Sequence, residues 1–239
     1  KNELPMYGGL PFTSQEEEIN KDFIREAVRI AGDKEKAAQR AIEAGWDSYF
    51  KKDYAQAIRR FNQAWLLDPE NPGVFHGFGT VMGDLGQGDE FVKWNRKAAE
   101  ARWGNAQVNM AWAYLIGYGV DQNAQEAARW YQIAADQDHP TGLNALGLLY
   151  DWGHGVAQDS AKAKVFYEKA DQEGFAGNWK YFRKEVFLKE NPDAENITFQ
   201  EIINDLSEDY FRDVKKNKQH AVFSRVKDRS STLIPWRRR

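Results

Sequence analysis

The sequence predicts an all-α protein built as an α-solenoid, and two observations carry this prediction. A segment of 36 residues is written twice between residues 105 and 176, and each copy has the residue spacing of two helices joined by a glycine turn. A single helical hairpin of this kind leaves an apolar face uncovered. Stacked hairpins cover one another, and a row of them forms a solenoid.

The repeat is visible in residues that recur at an offset of 36 positions. Gly119-Val120 returns as Gly155-Val156. Further pairs at the same offset are Tyr114 and Tyr150, Ala127 and Ala163, Tyr131 and Tyr167, and Ala134 and Ala170. So many pairs at one offset indicate a structural repeat.

Each copy predicts a helix, a turn and a second helix. Residues 107–115 have helical composition. Residues 117–120 then carry two glycines, which reach positive φ and let the chain reverse. In residues 124–135, four residues fall on one face of a helix: Ala127, Trp130, Tyr131 and Ala134.

These residues resemble the Sel1-like repeat, a variant of the tetratricopeptide repeat. The match lies in Gly117-Tyr118-Gly119-Val120, in the Ala-Trp-Tyr-Ala face, and in their second copies, so that residues 105–176 are predicted to be two Sel1-like repeats. The resemblance implies a right-handed superhelix of antiparallel helix pairs. It also implies a non-catalytic scaffold that binds a protein or peptide on its concave face.

Residues 33–104 are predicted to be two tetratricopeptide units. Two pairs of small residues recur at an offset of 34 positions, the period of that family: Gly45 with Gly79, and Ala64 with Ala98. The second copy is degenerate, because Phe91 and Asn95 replace the Ala57 and Phe61 of the first.

Before the repeats, residues 1–13 are predicted to be an extended leader or an arm laid on the first helices, because Leu4-Pro5 and Gly8-Gly9 oppose regular structure. Residues 14–32 are predicted to be a helix that begins with a capping box of Ser14 and Glu17 and ends at Gly32.

After the repeats, residues 177–216 are predicted to be capping helices. The first begins as a half-repeat at residues 178–182. The last is capped by Thr198 and is amphipathic through Phe199, Ile202, Ile203 and Leu206. Residues 217–239 are predicted to be a basic flexible tail.

Composition and motifs exclude several classes of function. The chain has no Cys, which excludes thiol catalysis, disulfides and Cys-ligated zinc. Neither a P-loop nor a Gly-x-Ser-x-Gly motif is present, and no apolar run is long enough to span a membrane. Residues 215–239 contain nine Lys and Arg and one Asp, a net charge of +8. Because the whole chain has a net charge of −3, residues 1–214 have a net charge of −11. An acidic body is not typical of a nucleic-acid-binding fold.

We therefore expect no catalytic residue, no metal site and no cofactor. The four histidines have no His or Cys partner at ligand spacing, and His139 and His154 are interpreted as turn residues. Family positions on the first helices, which line the concave wall, give these candidates for binding a partner: Trp46, Tyr49, His76, Thr80, Asn109 and Trp112. Ile42 and Glu43 stand where related proteins use Lys and Asn to bind a peptide carboxylate, which disfavours that ligand.

The partner and the location stay open. Residues 4–9 and 59–69 are similar to bacterial exported tetratricopeptide proteins, which implies a periplasmic location and a possible lipid anchor outside this chain, with the cytoplasm as the alternative. An immunity protein that neutralises a secreted bacterial effector is one alternative function. An envelope hydrolase is another, and it would need converging acid and base residues that the sequence does not show.

Overall fold

The structure is a computed structural model that describes residues 2–177, 182–194 and 196–216. In these ranges the regular structure is helical, as predicted. The α-helices are α1 (Ser14–Ala31), α2 (Lys34–Phe50), α3 (Tyr54–Leu67), α4 (Pro72–Asp84), α5 (Gly88–Glu100), α6 (Gly104–Ile116), α7 (Ala124–Ala135), α8 (Pro140–Trp152), α9 (Ser160–Gln172), α10 (Lys184–Glu190) and α11 (Phe199–Lys216).

The chain forms two compact units, Lys1–Trp103 and Gly104–Arg239, called unit 1 and unit 2. In unit 1, α2 pairs with α3 and α4 pairs with α5, and α3 packs on α4. In unit 2, α6 pairs with α7 and α8 pairs with α9, and α7 packs on α8. Each unit therefore contains two helical hairpins packed in series.

In unit 1 the hairpins meet around the ring of Phe61, which is completely buried. A Cβ atom added at Gly45 of α2 would lie 2.5 Å from this ring, and one added at Gly77 of α4 would lie 2.6 Å from it. The ring of one helix thus lies between glycines of two others. The same approach recurs at Gly79, where a Cβ atom would lie 2.3 Å from the side chain of Asn95.

In unit 2 small residues also allow two helices to approach closely. A Cβ atom at Gly147 of α8 would lie 2.6 Å from the ring of Tyr167 on α9. Ala127, Ala134 and Ala170 are completely buried on the faces that the spacing predicts. Gly155 has φ 73°, and its Cβ atom would lie 2.2 Å from the carbonyl oxygen of Ala124, so this turn position requires glycine.

The N-cap of α1 lies one residue earlier than predicted. Its capping box consists of Thr13 and Glu16, and not of Ser14 and Glu17. The backbone of Thr13 is extended, and its Oγ1 accepts a hydrogen bond from the Glu16 amide, while the Glu16 carboxylate accepts one from the Thr13 amide. Both pairs have the spacing of a capping box, so backbone geometry decided between them. The predicted end at Gly32 and the predicted cap at Asp33 are present.

The N-terminal segment is not extended throughout, in contrast to the prediction. Pro5–Gly9 forms a short 3-10 turn in which Met6 and Tyr7 have positive φ. The turn buries Tyr7 against Phe12 and Trp65. Asn62 of α3 also donates hydrogen bonds from Nδ2 to the carbonyl oxygens of Asn2 and Leu4. Contacts with α3 thus fold a segment whose glycines and proline predicted no regular structure.

The C-terminal segment joins unit 2 through α10, which lies against α8, and α11, which lies against α6. The amphipathic helix predicted near residue 198 is present as α11. Most of the predicted half-repeat at residues 178–182, and the whole predicted tail at residues 217–239, lie outside the described residues.

Gly45→Ala should destabilise unit 1 although Ala favours a helix. We expect the urea midpoint to fall by the equivalent of about 1–2 kcal/mol, because the new Cβ atom meets the Phe61 ring and overpacking outweighs the gain of about 1 kcal/mol in helix propensity. Circular dichroism during urea unfolding measures the change. In a Phe61→Leu background the same substitution should cost less, as a double-mutant cycle would show. A rise in the midpoint for Gly45→Ala alone would contradict the close approach.

Candidate functional site

Unit 1 presents aromatic side chains on the first helices of its two hairpins, α2 and α4. Trp46 of α2 is half-buried, and its ring lies 5.3 Å from the ring of His76 on α4 and 5.4 Å from that of Phe61. Phe61 is core, so Trp46 rests on the core from one side. The position of the Trp46 ring is therefore fixed by a helix and by packing on the core.

Four rings follow one another across this surface, and we call them the aromatic strip: Phe50, Trp46, His76 and Trp103. Successive ring centroids are 6.3, 5.3 and 6.5 Å apart. The two ends are open to solvent, because Phe50 is 71% exposed and Trp103 is 38% exposed, whereas His76 within the row is buried at 8% exposed. Contiguous exposed apolar patches mark interaction sites, and aromatic anchors dominate the energy of many interfaces.

A buried carboxylate stabilises α2 beside the strip. Asp84, the last residue of α4, accepts a hydrogen bond from Tyr54 Oη at 3.3 Å. Tyr49 is also buried and hydrogen-bonded to Asp84, and burial together with the Asp84 charge raises the pKa of Tyr49 far above its ordinary value. Tyr49 therefore stays protonated and donates to Asp84. Its role is to support α2, and its ring edge packs on Trp46.

The imidazole of His76 is held by Asn95, a buried residue of α5. Asn95 Nδ2 donates to the carbonyl oxygen of Phe91 at 2.9 Å, which leaves its Oδ1 facing His76 Nδ1 at 3.3 Å. The Nδ1 atom thus carries the proton and donates it to Asn95. Asn95 takes the position of Phe61 in the preceding hairpin, so the degenerate residue of the second repeat orients the central ring of the strip.

Four of the predicted partner-binding residues lie together in unit 1. Trp46 and His76 belong to the strip, Tyr49 lies beneath it, and Thr80 donates from Oγ1 to the carbonyl oxygen of His76 at 2.9 Å. The other two, Asn109 and Trp112, lie on α6 of unit 2 and are only 6% and 8% exposed.

Neither exposed end of the strip, Phe50 or Trp103, is among the residues that the sequence predicts for binding. Phe50 lies four residues after Trp46, so helical spacing alone could have placed the two on one face. Trp103 follows α5 in the link between two hairpins, where no helical periodicity applies. Its position beside His76 depends on the tertiary structure.

Two histidines of unit 2 have structural roles. His139 caps α8: its Nδ1 accepts a hydrogen bond from the Gly142 amide at 3.4 Å, and its Nε2 lies 2.9 Å from Asn105 Oδ1 and donates to it. His154 lies in the turn after α8 with its ring edge on Phe199. Burial lowers the pKa of both imidazoles below the ordinary value, which favours their neutral forms.

Among the described residues, no group of three or more His, Asp or Glu side chains is placed to hold a metal ion. Within the described ranges, no helix is both long enough and apolar enough to cross a membrane.

Comparison with protein families identifies part of the chain. The model of the Sel1 repeat family matches residues 104–139 and 140–174. These ranges agree with the two repeats predicted at residues 105–176, so this prediction is confirmed. The assignment of residues 33–104 to tetratricopeptide units stays a prediction.

Each curated relative named here is similar to this chain over fewer than 90 residues. An uncharacterized protein of Neisseria meningitidis serogroup B is 35% identical over 86 residues, which are 36% of this chain and 18% of that protein. Protein sel-1 homolog 2 of Rattus norvegicus is 37% identical over 82 residues, which are 33% of this chain and 12% of that protein. The chain thus spans less than a fifth of the length of these relatives.

One solved structure is similar over most of the chain. It is a protective antigen present in uropathogenic Escherichia coli strains, described as displaying an SLR fold, with a TM-score of 0.54 and 23% sequence identity. The similarity covers 81% of this chain and 40% of that protein. At this identity the likeness shows the fold alone, and together with the family match it confirms the predicted α-solenoid.

Acidification should lower the stability of unit 2, because His139 and His154 are neutral in the folded chain. Because their folded pKa values lie below the ordinary value of about 6.5, their contribution to stability is complete above that pH and is lost as pH falls through the folded values. We expect the melting temperature to fall between pH 7.5 and pH 5.5. His139→Asn keeps an N-cap acceptor but does not titrate, so the fall should become smaller. An equal fall in native chain and variant would contradict this role of His139.

Proposed function

Because this chain is a helical repeat protein that carries two Sel1 repeats, we propose that it is a non-catalytic scaffold that binds a protein or peptide through the aromatic strip of unit 1. Sel1-like repeat proteins generally mediate protein–protein interaction, and their fold is a scaffold. The strip is the observation that carries the proposal for this chain. It brings together two predicted residues, Trp46 and His76, with two exposed rings, Phe50 and Trp103.

The strip is suited to binding because it combines rigidity with exposure. Trp46 packs on the buried Phe61, and His76 is held by Asn95. Little side-chain freedom is therefore left to lose at the centre when a partner binds. Phe50 and Trp103 still expose apolar surface, and covering that surface drives association.

The exposed rings of the strip favour a partner with apolar side chains, and the charges around them are of both signs. On α2, Glu43 and Asp47 are both exposed on either side of Trp46 in the sequence. Glu43 accepts a hydrogen bond from Gln39 at 3.0 Å, and the cations Lys51 and Arg102 are exposed next to Phe50 and Trp103 in the sequence. Unit 1 as a whole carries 15 Lys and Arg against 17 Asp and Glu, a net −2, so its overall charge selects neither a basic nor an acidic partner. The periplasmic location and the immunity role stay predictions.

Phe50→Ala should weaken partner binding at least tenfold, because it removes an exposed ring at one end of the strip. Affinity capture with the native chain, followed by mass spectrometry, identifies a partner, and titration calorimetry with the purified partner measures each variant. The melting temperature should change by no more than a few degrees, since Phe50 is 71% exposed.

Ile30→Ala is the matched control, because Ile30 is 61% exposed on α1 and does not belong to the strip. It should bind the partner as the native chain does. Equal affinities for Phe50→Ala and Ile30→Ala would show that the strip is not the binding surface.

A further inference from the structure

Unit 2 holds a helix on the first helices of its own repeats. Here α6 and α8 are the first helices of the two hairpins, and we call their shared surface the inner wall. A helix that continued the stack would lie against the last hairpin, α8 and α9. Instead α11 reaches back to α6, the first helix of the preceding hairpin, while α10 lies against α8.

Three apolar residues anchor α11 at helical spacing. Phe199, Ile202 and Ile203 occupy positions i, i+3 and i+4 and are buried, and Leu206 continues the same face half-buried. The Phe199 ring stacks on Trp152 at the end of α8, with centroids 5.8 Å apart. The opposite face is polar and exposed at Glu201, Asn204, Asp205 and Glu208. An amphipathic helix therefore occupies the inner wall.

The helix α6 is buried far beyond a single apolar stripe. Ten of its thirteen residues are buried, including Asn109 and Trp112. Packing between hairpins accounts for most of this burial, since α4 of unit 1 buries eleven of its thirteen residues among α2, α3 and α5. Within unit 2, α7, α8 and α11 all lie against α6. The contact of α11 with α6 is therefore the observation that covers the wall which the sequence predicts as open for a partner.

The segment before α11 is fastened independently of it. Arg183 donates a bidentate pair of hydrogen bonds to Asp171 at 3.0 Å and also donates to the buried Asn144. The Lys184 amide donates to Asp151 at 2.8 Å, and Trp152 Nε1 donates to the Phe182 carbonyl oxygen at 2.7 Å. These bonds hold the start of α10, so α11 can leave the wall while α10 stays attached.

We propose that the inner wall of unit 2 is a binding site for an amphipathic helix with bulky apolar residues at positions i, i+3 and i+4, and that α11 occupies this site in the free protein. A partner helix with the same pattern binds by displacing α11. This inference rests on the proposed scaffold function and names a partner class for unit 2. Because α11 is attached to the same chain, its high effective concentration makes it a strong competitor.

The first test uses a fluorescent peptide of residues 196–216 and the full chain. Ile203→Asp places a charge in the anchored face and releases α11, and this variant should bind the peptide at least tenfold more tightly than the native chain does. Asn204→Asp adds the same charge on the exposed face and should behave as the native chain. A control peptide with Asp in place of Ile202 and Ile203 should not bind. Absence of binding to a folded Ile203→Asp variant, or equal binding to it and to the native chain, overturns the proposal.

The second test needs no variant. Hydrogen exchange followed by mass spectrometry should show that excess peptide accelerates exchange in α11 of the native chain at least threefold, while α2 and α3 of unit 1 do not change. Unchanged exchange in α11 at saturating peptide overturns the proposal. If partner capture still depends on Phe50, the scaffold function stands without this inference. If capture is insensitive to Phe50 but the peptide displaces α11, the strip proposal alone fails.

Discussion

The structure depends on the close approach of helices through small residues that face aromatic rings. Phe61 fits between Gly45 and Gly77, and Tyr167 fits against Gly147. Any Cβ atom at these glycines would overlap a ring, so hairpin spacing is set by the absence of a side chain. This constraint gives each unit a core of interlocked rings. It also fixes the positions of the first helices, on which the proposed binding surfaces lie.

The two units use the same architecture in different ways. In unit 1 the first helices carry a row of rings that ends in solvent at Phe50 and Trp103. In unit 2 the corresponding helices face α10 and α11. Buried polar side chains support both arrangements. In unit 1 Asn95 orients His76, and in unit 2 Asp151 accepts a hydrogen bond from the backbone amide of Lys184. Such bonds compensate the desolvation of polar groups and fix the orientation of the rings and helices they join.

Much of the fold could be predicted because its signals are local. Recurrence of Gly119 at Gly155 and the Ala-Trp-Tyr-Ala spacing identify the Sel1 repeats, and helical periodicity identifies α11. The candidate site was predictable in part: Trp46 and His76 lie together in the row of rings, but family positions do not distinguish a half-buried ring such as that of Trp46 from buried rings such as those of His76 and Tyr49. Tyr49 is beneath, because a hydrogen bond to Asp84, distant in sequence, draws it inward.

The sequence by itself determined the helices, their pairing and the small residues at their contacts, because each follows from spacing within some 36 residues. Only the tertiary structure decided that Pro5–Gly9 coils onto α3, that Trp103 extends the row of rings, and that α11 covers α6. These contacts join residues far apart in the chain. Their formation depends on which apolar surfaces remain uncovered after the hairpins have stacked, and no local pattern records that outcome.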